Sequence, residues 1–139
     1  MREENPLISE NLKKIQDLSE KLSDLSMIMT NFLKYSNDLI AVFDGEGRFK
    51  FISDQWAVVL GYSKDELIGN KFMNFVHPDD KERTYDVLSG VVIEKKSVNT
   101  FINRYKSKTG SYVQLCWSSS PLVEGNIYAI ARTCPLANL

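Results

Sequence analysis

Residues 48–80, RFKFISDQWAVVLGYSKDELIGNKFMNFVHPDD, hold the densest set of structural signals in this chain of 139 residues. The stretch opens with a strand pattern. Ser63 and Glu66 then have the spacing of a helix capping box, and Gly69 follows where a left-handed helix end is expected. Pro78 suits the first position of another helix, because its missing N–H would have no partner there. We therefore predict a strand, two short capped helical turns and a helix start, without a recognisable catalytic arrangement.

The sequence on either side adds further strands. Glycine-containing turns at residues 44–47, 109–110 and 124–125 separate runs of apolar and β-branched residues. Two strands, a helical block and then three strands predict an α+β fold with an antiparallel sheet. The predicted strands are 39–44, 48–53, 98–107, 112–119 and 126–132, and the predicted helices or turns are 55–60, 64–68, 73–75 and 78–91.

A long helix is predicted before the first strand. Asn5 and Pro6 form a helix start, and no glycine or other proline occurs before residue 34. Apolar residues recur every seven positions in two series, with the polar Asn11 at the start of the second, which is the heptad pattern of a coiled coil. An amphipathic helix packed along its own domain remains the alternative. The residues that we assign to dimerisation are Ile8, Ile15, Leu18, Leu22, Leu25, Met29 and Phe32.

These patterns divide the chain into three parts. We assign residues 1–34 to the N-terminal helix and coiled-coil dimerisation segment, 35–134 to one globular domain and 135–139 to a tail. The formal net charge of −1 gives no basic surface for nucleic acid. No apolar run approaches the roughly 20 residues of a membrane span, and the first residues lack the apolar core of a signal peptide. Because Cys116 and Cys134 are isolated, we expect a cytoplasmic protein without a metal site.

Several motifs in order resemble one family. The segments FISDQW, LGYSKDELIG and FVHPDD, followed by three strands ending in SSSPLVEGNIYAIAR, are similar to the PAS domain family (PAS/PAC, S-box) over residues 38–132. The resemblance implies a five-stranded antiparallel sheet with a helical block on one face. It also implies a sensory module, not an enzyme, from a histidine kinase or related two-component signalling protein of a bacterium or archaeon. The effector domain or signalling partner would then lie outside this chain.

The resemblance further implies a small-molecule cavity between the sheet and the helical block. Asn103, Tyr105 and Ser119 are candidates for polar contacts, although the sequence leaves open which face of the sheet they occupy. Two alternatives remain: the apolar residues simply fill the core, or the domain is a ligand-free module for dimerisation and docking. The candidate lining residues are Ile40, Val42, Phe51, Phe72, Phe75, Tyr85, Leu88, Ile102, Leu115, Trp117 and Ile130.

The sequence departs from cofactor-binding members of the resembled family. Flavin-binding members carry a reactive cysteine where this chain has residues 69–75, which contain none. Haem-binding members generally carry a histidine in the long helix, here residues 79–91, which contain none. We therefore expect neither covalent flavin–cysteine chemistry nor histidine-ligated haem, and the ligand stays unassigned. The only histidine, His77, and its neighbours Asp79 and Asp80 are explained by a helix start.

Overall fold

A computed structural model describes residues 5–135. Residues 1–4 of the predicted N-terminal segment and 136–139 of the predicted tail lie outside the described residues. The chain divides into two compact units, Met1–Tyr35 and Ser36–Leu139.

The first unit contains one long helix, α1 (Pro6–Tyr35). Asn5 caps it: its Oδ1 accepts a hydrogen bond from the Leu7 N–H at 2.9 Å. The predicted helix is confirmed. Each of the seven heptad side chains assigned to dimerisation is at least 58% exposed.

The second unit is built on a five-stranded sheet with the order β2-β1-β5-β4-β3, in which all neighbours are antiparallel. The predicted α+β fold and its antiparallel sheet are confirmed. The first and last strands pair at the middle of the sheet. The strands are β1 (Leu39–Asp44), β2 (Phe49–Ile52), β3 (Val98–Lys106), β4 (Tyr112–Ser119) and β5 (Asn126–Thr133).

The segment between β2 and β3 forms the helical block. Its capping chemistry follows the sequence: the Glu66 carboxylate accepts hydrogen bonds from the Ser63 N–H and hydroxyl, both at 3.1 Å. His77 Nδ1 accepts a hydrogen bond from the Asp79 N–H at 3.0 Å, so this histidine caps a helical turn. The elements are α2 (Gln55–Leu60), α3 (Lys64–Leu67), α4 (Lys81–Val92) and the 3₁₀ turns Phe72–Phe75 and Pro78–Asp80.

The β1–β2 turn positions an aromatic ring of this block. Gly47 has a φ of +80°, and a Cβ atom there would lie 2.7 Å from Cε1 of Phe72. The Phe72 N–H also donates to the Gly47 carbonyl at 2.9 Å. Only glycine combines this left-handed backbone with so close an approach. The turn therefore holds Phe72 against the inner face of the sheet.

Candidate functional site

A cavity of about 70 Å³ lies between the inner face of the sheet and α4. Side chains from β1, β3, β4 and β5 form one wall, and α4 forms the other. The lining is mostly aliphatic and aromatic, and it contains no charged side chain. Its members include Phe43, Phe72, Leu88, Asn103, Tyr105 and Trp117.

Trp117 on β4 is the aromatic centre of this wall. Its ring centroid lies 5.6 Å from that of Tyr105, 5.8 Å from that of Trp56 and 6.0 Å from that of Phe43. Such tilted aromatic contacts stabilise by roughly 0.5–1.5 kcal/mol each beyond their buried area. The cavity thus has a rigid aromatic side, against which a guest molecule would pack.

A chain of hydrogen bonds runs from this wall to α4. The Trp117 Nε1–H donates to Asn103 Oδ1 at 2.9 Å, and Asn103 Nδ2 donates to the Thr84 hydroxyl at 3.4 Å. The Thr84 hydroxyl in turn donates to the Asp80 carbonyl at 2.7 Å. Asn103 and Thr84 are both buried, so these bonds offset the cost of removing their polar atoms from water. The polar residues of the cavity are therefore anchored to the start of α4.

Asp80 extends this connection to β3. Its carboxylate accepts hydrogen bonds from the Arg104 backbone N–H at 2.8 Å and from the guanidinium at 2.8 and 2.9 Å. The Arg104 side-chain hydrogen bond lowers the pKa of Asp80 to about 2, against the opposing effect of burial. The sequence explained Asp80 by the helix dipole alone. That explanation was incomplete, because the partner lies 24 residues away on another element.

Tyr105 differs from the other polar residues of the cavity. The residue is 1% exposed, and its hydroxyl has no hydrogen-bond partner among residues 5–135. Burial alone raises the pKa of Tyr105 well above its ordinary range. By contrast, the Ser119 hydroxyl, also at the cavity, donates to the Ser120 carbonyl at 3.1 Å.

The structure brings only some of the predicted lining residues to the cavity. Phe72, Leu88 and Trp117 line it, as do the polar candidates Asn103, Tyr105 and Ser119. Leu115 and Phe75 pack in the core away from it. Tyr85 is 56% exposed on α4.

The other five predicted lining residues lie on the outer face of the sheet. Successive strand residues point to opposite faces, and the inner face of β1 carries the buried Leu39, Ala41 and Phe43. Register then places Ile40 opposite Ile130 on the outer face. The residues concerned are Ile40, Val42, Phe51, Ile102 and Ile130.

Eight lining residues were not singled out in the sequence. Those on α4 share the spacing of one helix face, a signal that could have identified them. Those on the strands alternate in step with other buried residues, so they point to the same face of the sheet. The eight are Phe43, Thr84, Val87, Val91, Val98, Phe101, Ile127 and Ala129.

The described residues hold neither a cluster of metal-ligating side chains nor a helix that could span a membrane. Residues 5–135 contain no group of three or more His, Cys, Asp or Glu side chains arranged to hold a metal ion. Within the same part of the chain, no helix is long and apolar enough to cross a membrane.

Comparison with known proteins identifies the fold family. The sequence model of the PAS fold family matches residues 49–133, which is more than half of the chain. The chain belongs to the PAS fold family. The match covers β2 to β5, and therefore the helical block and four strands of the cavity-bearing unit.

Individual relatives agree with this assignment. The PAS domain of an HTR-like protein from Haloarcula marismortui superposes with a TM-score of 0.71 at 23% identity, covering 86% of this chain and 99% of that one. The PAS-B domain of Drosophila melanogaster Cycle, solved with bound ethylene glycol, gives a TM-score of 0.59 at 27% identity, covering 69% of this chain and 97% of that one.

The curated protein Cycle from Drosophila melanogaster is 30% identical over 76 residues. Those residues make up 55% of this chain but only 18% of Cycle. The match therefore joins about half of this chain to a small segment of a much longer relative.

Proposed function

We propose that this PAS domain is a cytoplasmic, non-enzymatic sensory module that binds a small ligand in its cavity and dimerises through α1. It would serve as the input domain of a histidine kinase or related signalling protein. The observation that supports this most is the cavity of about 70 Å³, lined by the buried residue Tyr105, whose hydroxyl has no partner within the described residues. Fully packed cores rarely contain open space of this size.

A relative supports binding of a small molecule. The Cycle PAS-B domain, at 27% identity, was solved with ethylene glycol bound. A cavity of about 70 Å³ is roughly half the size of an engineered cavity that admits benzene or xenon. Flavin and haem are far larger than this space, so the proposed ligand is a much smaller molecule.

The heptads of α1 support the dimer. Pairing with a second copy of α1 would remove the seven exposed apolar side chains from water. A ligand that prefers one arrangement of the sheet and helical block would then change the stability of the α1 pair, because coupling between two equilibria is reciprocal.

A second candidate function is that of a ligand-free docking module. The observation that favours it is the apolar outer face of the sheet, where Phe51, Ile102, Tyr128 and Ile130 are each more than a third exposed. Such a patch on a soluble domain commonly marks an interaction surface.

Xenon distinguishes the two candidates, because it enters small apolar cavities without needing a specific contact. We expect dissolved xenon to shift NMR signals of the cavity wall, including the Trp117 indole N–H, in a saturable manner. Ala129→Ile, which adds volume at a buried lining position, should abolish the shifts. Absence of saturable shifts in the wild-type protein would reject the ligand cavity and favour docking.

A further inference from the structure

The Tyr105 hydroxyl indicates what kind of molecule the cavity takes. Within the described residues, every fully buried side-chain nitrogen or oxygen atom has a hydrogen-bond partner. The Tyr105 hydroxyl has no partner, so it must adjoin open space, and the open space that Tyr105 lines is the cavity. A phenol hydroxyl without a protein partner in such a confined space is costly unless another molecule bonds to it.

A second donor lies on the same face of β3, two residues away. Asn103 uses its Oδ1 to accept from the Trp117 indole, and its amide nitrogen makes one long bond of 3.4 Å to the Thr84 hydroxyl. An amide nitrogen carries two hydrogens, so one of them has no partner among residues 5–135. Both incompletely paired groups of the wall can therefore donate a hydrogen bond.

The rest of the lining restricts the charge and size of the guest. No Lys, Arg, Asp, Glu or His side chain lines the cavity, so a charged guest would lose its hydration without a counter-charge. The ion pair Asp80–Arg104 at the start of α4 does not line the cavity, and its charges already pair with each other. The volume of about 70 Å³ is roughly half that of the cavity that holds benzene, so the guest is restricted to a few non-hydrogen atoms.

We propose that the cavity selects a small, uncharged molecule with an apolar body and one hydrogen-bond acceptor, such as a short ketone, aldehyde or ether, which is held by the Tyr105 hydroxyl. This inference rests on the proposed ligand-binding function and narrows it to a chemical class. Tyr105 is the residue that determines specificity, because its hydroxyl distinguishes an acceptor from a hydrocarbon of the same shape.

Three probes of one planar shape test the proposal: acetone, isobutene and acetate. They contain the same number of non-hydrogen atoms and differ in the group that would meet Tyr105: a carbonyl, a methylene or a carboxylate. Affinities are measured on the full chain by NMR titration of the Trp117 indole N–H. Tyr105→Phe removes the hydroxyl with almost no change in ring volume. Tyr62→Phe is the matched control, because the Tyr62 hydroxyl donates to the Lys106 carbonyl at 2.7 Å and does not line the cavity.

We expect Tyr105→Phe to weaken acetone binding about tenfold, the effect of losing one neutral hydrogen bond, and to leave isobutene within about twofold. Tyr62→Phe should change neither affinity, and acetate should bind at least about tenfold more weakly than acetone. If Tyr105→Phe leaves acetone unchanged, or acetate binds as well as acetone, the ligand class is wrong while a xenon-accessible cavity stands. If xenon and all three probes fail to bind, both the class and the proposed function are rejected.

Discussion

Asp80 shows at the scale of one residue how the helical block is attached to the sheet. Its side chain is 7% exposed, lies at the start of α4 and accepts three hydrogen bonds from Arg104 of β3. Arg83 approaches the same carboxylate at 3.5 Å. The pKa of Asp80 is lowered from 3.8 to about 2, chiefly by the Arg104 side chain. Such a difference corresponds to about 2 kcal/mol of stability while the carboxylate is ionised.

The sign of this effect predicts acid sensitivity. A lowered pKa in the folded state stabilises fully above the unfolded pKa near 3.8 and is lost as pH falls through about 2. We expect Asp80→Asn to cost about 2 kcal/mol of unfolding free energy at neutral pH. Between pH 4 and pH 2 the wild-type protein should lose more stability than the variant. Urea unfolding followed by tryptophan fluorescence measures both.

Asp54→Asn is the control for this prediction. Its side chain is 83% exposed and pairs with Lys64 at 3.4 Å, so the change should cost only a few tenths of a kcal/mol. If the Asp80→Asn and wild-type proteins lose the same stability between pH 4 and pH 2, the lowered pKa of Asp80 is not the cause of the acid sensitivity.

Strand alternation explains which cavity residues could be predicted from the sequence. Side chains along a strand alternate between the two faces of a sheet, and a charged side chain marks the outer face of a half-buried sheet. The strands carry such charged residues at Asp44, Arg104 and Arg132. That rule places Asn103 and Tyr105 inside and Ile102 outside. Hydrophobicity alone favoured Ile102, Ile40 and other apolar residues on the wrong side of the strand.

The sequence could not predict the pairing of Asp80 with Arg104 or the unpartnered Tyr105 hydroxyl. The ion pair joins two elements 24 residues apart, and its geometry depends on how α4 packs on β3. The Tyr105 hydroxyl is unpaired because the packing of the surrounding side chains leaves no polar atom within hydrogen-bond distance of it. Neither property has a periodic pattern in the sequence.

At the scale of elements, local signals were sufficient. Capping residues and glycine turns set the bounds of α2, α3 and the strands to within about two residues, because each end depends on a few neighbouring side chains. The seven-residue spacing of α1 likewise identified a long helix. The spacing alone does not choose between a coiled coil and a helix packed along its own domain.

We expect Leu22→Glu to dissociate the proposed α1 dimer. A carboxylate at a core a position would lose its hydration against apolar neighbours, so the dimer should weaken at least about a hundredfold. Analytical ultracentrifugation of the full chain measures this. Ser23→Glu is the matched control, since position 23 lies outside the a/d stripe and should leave association unchanged. A wild-type protein that is monomeric at high concentration, or equal effects of the two variants, would reject the dimer.

At the scale of the molecule, hydrogen bonds connect the cavity to the helical block. The cavity wall is tied through Asn103 and Thr84 to the start of α4, and the Asp80–Arg104 pair continues that connection on β3. A guest that reorganised these bonds would alter the sheet as well as the helical block. The proposed sensory function requires that this change reach α1 and alter its pairing.

The dimer dissociation constant with and without acetone tests this link most directly. Sedimentation equilibrium on the full chain should show at least about a fivefold change at saturating acetone, the lower end of typical coupling energies. Ala129→Ile, with its cavity filled, should show no change under the same conditions, which excludes a solvent effect. A dissociation constant that stays the same in the wild-type protein, although NMR shows the cavity occupied, would contradict the proposed sensory function.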